Sequence, residues 1–276
     1  TNGRRRITTF ADVYRINNTD GGESHEFTLS LQRPFKSGWA AGISWTRGHA
    51  TEVSPMTSST AGSLYTTRAT FNPNENTAGR SNTEVKDKLV ASYTKQFNFF
   101  KRDNTKTTLS LVYEGRSGHV SSWVFSGDAN GDGITSSLGS GSTGGVSNDL
   151  FYMPSGPSDP KVRWLSTTER DNFFAFADAN GLSKYSGSVV PRNAARSPWE
   201  QTVDLTVTQQ IPIAGRVRAE VYLQMINFAN LLNDSWGLLE EVPFTYRRAA
   251  AGTGYDPAGH GGAGQYLYVY NGNTAG

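Results

Sequence analysis

Apolar and polar residues alternate with period two over much of the chain, the pattern of strands with two unlike faces. Phe27, Leu29 and Leu31 alternate with Thr28, Ser30 and Gln32, then Trp39, Ala41, Ile43 and Trp45 with Ala40, Gly42, Ser44 and Thr46. Leu89, Ala91, Tyr93 and Phe97 stand opposite Lys88, Val90, Ser92, Thr94 and Gln96, and Leu109, Leu111 and Tyr113 opposite Thr108, Ser110 and Glu114. Val203, Leu205 and Val207 alternate with Thr202, Asp204, Thr206 and Thr208. Val217, Ala219, Val221, Leu223 and Met225 oppose Arg218, Glu220, Tyr222 and Gln224. A weaker opening strand is expected around residues 7–16 and a closing one at 265–270.

The connections alternate in length. Residues 34–38, 101–104 and 212–215 read as tight turns, whereas 51–84, 116–198 and 231–264 are long and polar. Structureless loops beyond about 15 residues are uncommon in compact domains. Outer-membrane barrels join their strands by short periplasmic turns and longer external loops, and strands of about 9–11 residues cross the bilayer at a tilt. Phe35, Trp39, Phe97, Phe99 and Phe100 gather near the turns, where an interfacial girdle would sit. A secreted β-sandwich also alternates, but its loops lack this consistent sidedness. Glu114, Asp204, Arg218 and Glu220 all fall on the polar parity. The expectation is an all-β chain, an antiparallel transmembrane β-barrel segment of about 7–8 strands with long extracellular loops.

Composition agrees. Only 18% of residues are charged, 12% are aromatic, and 30 are glycine, a mixture that suits strands and loops. A net charge of +2 argues against a nucleic-acid binder. With no cysteine, disulfides and thiol-based metal or redox sites are excluded. No apolar run approaches the roughly 20 residues of a membrane helix. Both ends read as cuts, so residues 1–276 are expected to be one piece of a longer barrel.

Motifs for catalysis do not emerge. His25, His49, His119 and His260 are scattered without a metal-site spacing, and neither a nucleophile elbow nor an acid pair is present. Residues 139–144 and 259–264 match the dinucleotide fingerprint but neither follow a strand nor open a helix, so they read as loop. Ser166 and Glu169 have capping-box spacing, Phe173, Phe174, Phe176 and Ala177 form an apolar face, and Gly181 follows, which predicts a short helix inside the longest loop.

Several stretches together resemble the Oar-like TonB-dependent outer-membrane receptors. They are Leu31-Gln-Arg-Pro-Phe-Lys-Ser-Gly-Trp39, Phe71-Asn-Pro-Asn74 with Gly79-Arg-Ser81, and Tyr-Glu-Gly-Arg-Ser-Gly from Tyr113. Further along come Phe-Ser-Gly-Asp-Ala-Asn-Gly-Asp-Gly from Phe125, Asn-Asp-Leu-Phe-Tyr-Met-Pro from Asn148, and Pro-Trp-Glu-Gln-Thr-Val-Asp-Leu from Pro198. Met-Ile-Asn-Phe-Ala-Asn-Leu-Leu-Asn from Met225, with Trp236-Gly237, completes the series. The resemblance implies the C-terminal part of a barrel of about 22 strands with a plugged lumen. It further implies a Gram-negative outer membrane as location, lipid, the rest of the barrel and a plug as partners, and TonB reached through that plug. The function implied is import of a large or scarce nutrient, with no enzymatic role. Glu114, Arg116, Asp204, Arg218 and Glu220 are the lumen-facing substrate candidates. Trp164, Tyr185, Tyr246 and Tyr255 in the external loops are capture candidates or loop packing. The alternative is a secreted or cell-surface β-rich adhesin or structural module with a calcium-stabilised loop.

Asp128, Asn130, Asp132 and Gly133 stand at positions 1, 3, 5 and 6 of a calcium loop, with the carbonyl of Ile134 at position 7. Position 12 is Gly139, so the bidentate acid is missing, and Asp149 is the candidate to replace it. The expectation is a weak Ca²⁺ site, or else an ordinary Asp/Asn/Gly turn.

Overall fold

Strand β1 (Glu23–Lys36) turns back into β2 (Trp39–Glu52) through Ser37 and Gly38, both at positive φ (56° and 81°). Two left-handed residues in a two-residue loop form the primed turn whose twist matches that of the flanking strands. The computed structural model describes residues 13–102, 105–130, 146–215, 217–244, 246–255 and 266–270. After helix α1 (Ala61–Thr67) and the short β3 (Gly79–Arg80) come β4 (Asp87–Phe97) and β5 (Thr107–Arg116). Strands β6 (Val120–Ser126), β7 (Val146–Leu150), β8 (Tyr152–Met153) and β9 (Val162–Trp164) lead to α2 (Thr167–Ala179). Then follow β10 (Ser188–Val189), β11 (Ala195–Arg196), β12 (Glu200–Ala214), β13 (Val217–Met225), α3 (Phe228–Leu232), β14 (Arg247–Tyr255) and β15 (Tyr266–Val269).

The six long strands form one antiparallel sheet in the order β1-β2-β4-β5-β12-β13, with β3 beside β2. All six were legible as alternation. The opening strand expected at 7–16 is not: its described part, residues 13–16, is irregular, and residues 1–12 lie outside the described residues. The expected closing strand exists as β15 but belongs to a different sheet.

Register sorts the residues into two faces. Leu31, Ile43, Ala91, Tyr113 and Val203 lie in one row across the sheet, Ser30, Ser44, Val90, Glu114 and Thr202 in the next. On the polar face, hydroxyls pair across strands: Thr28 with Thr46 at 2.9 Å, Ser30 with Ser44 at 3.0 Å, Thr94 with Ser110 at 3.2 Å. The apolar face carries charge only toward its ends. Arg47 bonds Asp87 at 3.1 Å near one end, while at the other the Arg33 guanidinium lies 3.5 Å from the centre of the Trp39 ring and Lys95 approaches Phe97. From Arg47 to Trp39 the strand runs about 27 Å, close to the ~25 Å apolar band of membrane barrels once tilt is allowed for.

The stagger of the turns supplies that tilt. Trp39, next to its turn, is level with Lys95, Leu109 and Val207, yet β12 continues to Ala214 before turning. With turns in one plane, a shift of about seven residues over four strand spacings gives a tilt of roughly 50°, near the ~45° of membrane-crossing strands. Within the apolar band a charge should be tolerated on the polar face only. Leu205→Arg should cost about 2–4 kcal/mol in bilayers and Thr206→Arg little. Equal folded fractions for the two variants would refute the assignment of faces.

The long connections are not structureless. A second sheet, in the order β11-β6-β14-β15-β9 with β7 against β6, and the pair β8-β10 build a folded cap. Strand β14 runs parallel to β6, and β15 parallel to β9. Here the core lies: Phe125, Phe151, Phe173, Ala177, Val190 and Ala250 have no exposed surface. Among the described residues, the six long strands contribute to the buried apolar set only Leu205. That division is the one expected of a sheet with both faces solvated, as in a membrane barrel with lipid on one side and lumen on the other.

Helix α2 forms as expected. The Glu169 N–H donates to Ser166 Oγ at 3.1 Å, Phe173 and Ala177 point into the cap core, and Gly181 ends the helix at φ 65°. Its phenylalanines pack the cap: the Phe173 ring lies 5.1 Å from Trp164 and 5.7 Å from Phe151.

Candidate functional site

The expected lumen residues fall into two groups. Lys88, Arg116 and Glu200 form one cross-strand row on the polar face. Arg116 Nε donates to Glu200 at 2.7 Å and Lys88 Nζ meets Glu114 at 2.8 Å, so Glu114 and Arg116 belong to a ladder of opposite charges below the cap. Arg218 and Glu220 sit at the other end, where Gln210 Nε2 donates to Glu220 at 3.1 Å and Arg218 lies opposite Pro212. Glu200 and Pro212 are about 40 Å apart along β12. Asp204 has a structural partner: it accepts the N–H of Asn227 at 2.8 Å, fixing the left-handed residue (φ 55°) that opens α3.

Between cap and sheet lies a polar junction that period-two reading did not reveal. The buried Glu84 carboxylate accepts from Arg196 Nη2 at 2.6 Å, His49 Nδ1 at 2.9 Å and the Ala50 N–H at 3.1 Å, and Arg80 Nε lies 3.2 Å away as a further ion-pair partner. Arg192 donates to the carbonyls of Val53 (2.7 Å), Glu52 and Gly79, binding the end of β2 to the segment before β11. Burial pulls its guanidinium below the usual value; Glu52 opposes that shift and the like charge of Arg68 adds to it. Asn193, at φ 57°, bonds Ser122, the carbonyl of Arg80 and Asn82. At the neck of the cap a Cβ on Gly118 would meet the Pro198 carbonyl at 2.1 Å, so only glycine lets the chain leave β5 past the segment returning to β12.

Of the calcium candidates, the structure brings Asp149 to the turn at 128–130. Asp149 is fully buried and accepts from the N–H groups of Ala129 (2.7 Å) and Asn130 (3.1 Å) and from Asn130 Nδ2 (2.7 Å). Its carboxylate thereby clasps the turn through hydrogen-bond donors. Asp132 and Ile134 lie outside the described residues, as do His260 and both glycine fingerprints. Among the described residues, no group of three or more His, Asp or Glu is placed to hold an ion.

A second clasp orders the cap's far side. Asp159 accepts from the N–H groups of Ser155 (2.7 Å) and Lys161 (2.8 Å) and from the hydroxyls of Tyr152 and Ser155. Burial alone would raise its carboxyl, but these donors together hold it below the ordinary value. Burial first, then the bond to Asp159, pushes the Tyr152 phenol up to about 12. A lowered carboxyl stabilises the fold above its unfolded value, about 3.9, and loses that contribution as pH falls through the folded value. The cap should therefore loosen below about pH 4, and Asp159→Asn should flatten this acid limb in cap-specific hydrogen exchange. An unchanged limb would assign it to other carboxylates.

Of the loop aromatics, Trp164 is half-buried in the core, and Tyr246, at φ 59°, stacks on His119 with ring centres 3.7 Å apart. Both serve packing. A family model described as "outer membrane beta barrel domain" matches residues 1–235. No curated protein and no solved structure matches the chain.

Proposed function

Because this chain belongs to the outer-membrane β-barrel family and so resides in the outer membrane, we propose that it is wall and external cap of a TonB-dependent, Oar-like transporter for a large or scarce nutrient. One observation carries the reading. Four of the Oar-like stretches fall at the joints of this architecture: Tyr113–Gly118 and Pro198–Leu205 at the neck, Asn148–Pro154 in the cap core, Met225–Asn233 at the turn beyond β13. Their placement in cap and neck as well as in strands supports reading the chain as part of a capped barrel of that kind. The polar face would meet plug and cargo, and the charge ladder of Lys88, Glu114, Arg116 and Glu200 would line the passage beneath the cap. Such a role requires binding and passage, with no catalytic residue.

The test is uptake by cells producing the parent protein, offered labelled peptide and oligosaccharide pools, with and without TonB. Accumulation that vanishes without TonB is the expected result. TonB-independent accumulation would overturn the reading. Surface binding without uptake would instead favour a cell-surface adhesin.

A further inference from the structure

The four histidines have no metal-site spacing in the sequence, but the first hairpin creates one. Its register sets His25 directly opposite His49, on the face that carries Phe27 and Trp45. Side chains of directly opposed residues start about 4.5–5.5 Å apart at Cβ, within reach of a shared ion. The two imidazoles border an open depression of about 470 Å³ at the cap end of the hairpin, shared with Glu26, Arg80 and Glu84.

His49 is already oriented. Its Nδ1 lies 2.9 Å from Glu84 Oε2, and since an ionised carboxylate only accepts, Nδ1 carries the proton. With Nδ1 so engaged, Nε2 is the nitrogen left to offer its lone pair to a metal ion. Glu84 cannot follow the ring, being buried and held by Arg196, Arg80 and the Ala50 N–H. A carboxylate behind an imidazole is the arrangement that fixes ring and tautomer in metal-ligating histidines. His25 is exposed, rests 3.5 Å from the equally exposed Glu23, and is free to turn toward its neighbour. Of the cations around the depression, Arg47 is paired with Asp87, Arg80 and Arg196 share Glu84, and Lys86 lines it as well, so binding there rests on the imidazole nitrogens rather than on attraction by charge.

We infer that His25 and His49 form a two-imidazole site for a borderline transition-metal dication, with water completing the sphere. Imidazole nitrogens suit copper, nickel and zinc rather than calcium or magnesium, and copper(II) should bind tightest. The site stands apart from the Asp128 turn and does not depend on the transport reading.

The full chain in detergent, titrated with Cu²⁺, tests this. Electron paramagnetic resonance should show two coordinated nitrogens at one equivalent of copper. His25→Ala and His49→Ala should each weaken binding at least tenfold, because each removes the chelate. His119→Ala should change nothing, since that ring is stacked on Tyr246. Single-nitrogen spectra, or copper affinities of the His25 and His49 variants equal to that of the unmodified chain, would overturn the inference.

Discussion

Truncating Phe173 to alanine should destabilise the cap by about 3–5 kcal/mol, the usual cost of emptying a packed phenylalanine site. The side chain has no exposed surface, and aromatic rings surround it: Trp164 at 5.1 Å, Phe151 at 5.7 Å and Tyr270 at 5.8 Å. Walls made of rings on three different segments cannot close over a void without moving strands. The sheet below should remain, since its ladders of backbone bonds share no side chain with this cluster. Hydrogen exchange in detergent separates the two, with cap amides losing protection while those of β4, β5 and β12 keep theirs. A loss under about 1 kcal/mol would mean that the site collapses freely and that the cap is not close-packed.

Glu84→Ala should cost a comparable amount, about 3–5 kcal/mol, because breaking a buried ionic network strands its remaining members. Arg196 and Arg80 would lose the only carboxylate they share, and the Ala50 N–H its acceptor. The damage should appear at the junction: protease should reach the 79–86 segment and the approach to β11 before either the core or the long strands open. Glu84→Gln should be milder, keeping an acceptor while losing the charge. If alanine and glutamine behave alike and neither exposes the junction, the carboxylate contributes nothing beyond filling space.

The long strands were legible because their information is local. Each residue's parity is fixed by its neighbours, so Leu205 and Thr206 declare opposite faces without reference to any other strand. Helix α2 was legible for the same reason, through Ser166, Glu169 and Gly181. The cap was not. Val124-Phe125 and Phe151-Tyr152-Met153 are short, buried on both sides and without period, and so read as loop. The polar junction was hidden by distance along the chain, since Glu84 finds His49 thirty-five positions back and Arg196 one hundred and twelve positions ahead. His25 and His49 were visible individually but not as a pair, which only the register around Ser37 and Gly38 produces. Charges such as Arg33, Arg47, Asp87 and Lys95 break the parity rule where the apolar band ends, and there the alternation misleads.

The parallel contact between β6 and β14 joins Ser122 to Arg247, about 125 residues later. Its order of assembly follows. The hairpins of the long sheet close over short spans, whereas β6 must wait until β12 and β13 have been laid down and the chain has returned. Closing so long a loop is slow, and the delay leaves an apolar strand edge unpaired meanwhile. Maturation should therefore show two kinetic phases, sheet before cap. A chain ending ahead of Arg247 would keep the β6 edge open permanently, and self-association through that edge is its expected fate.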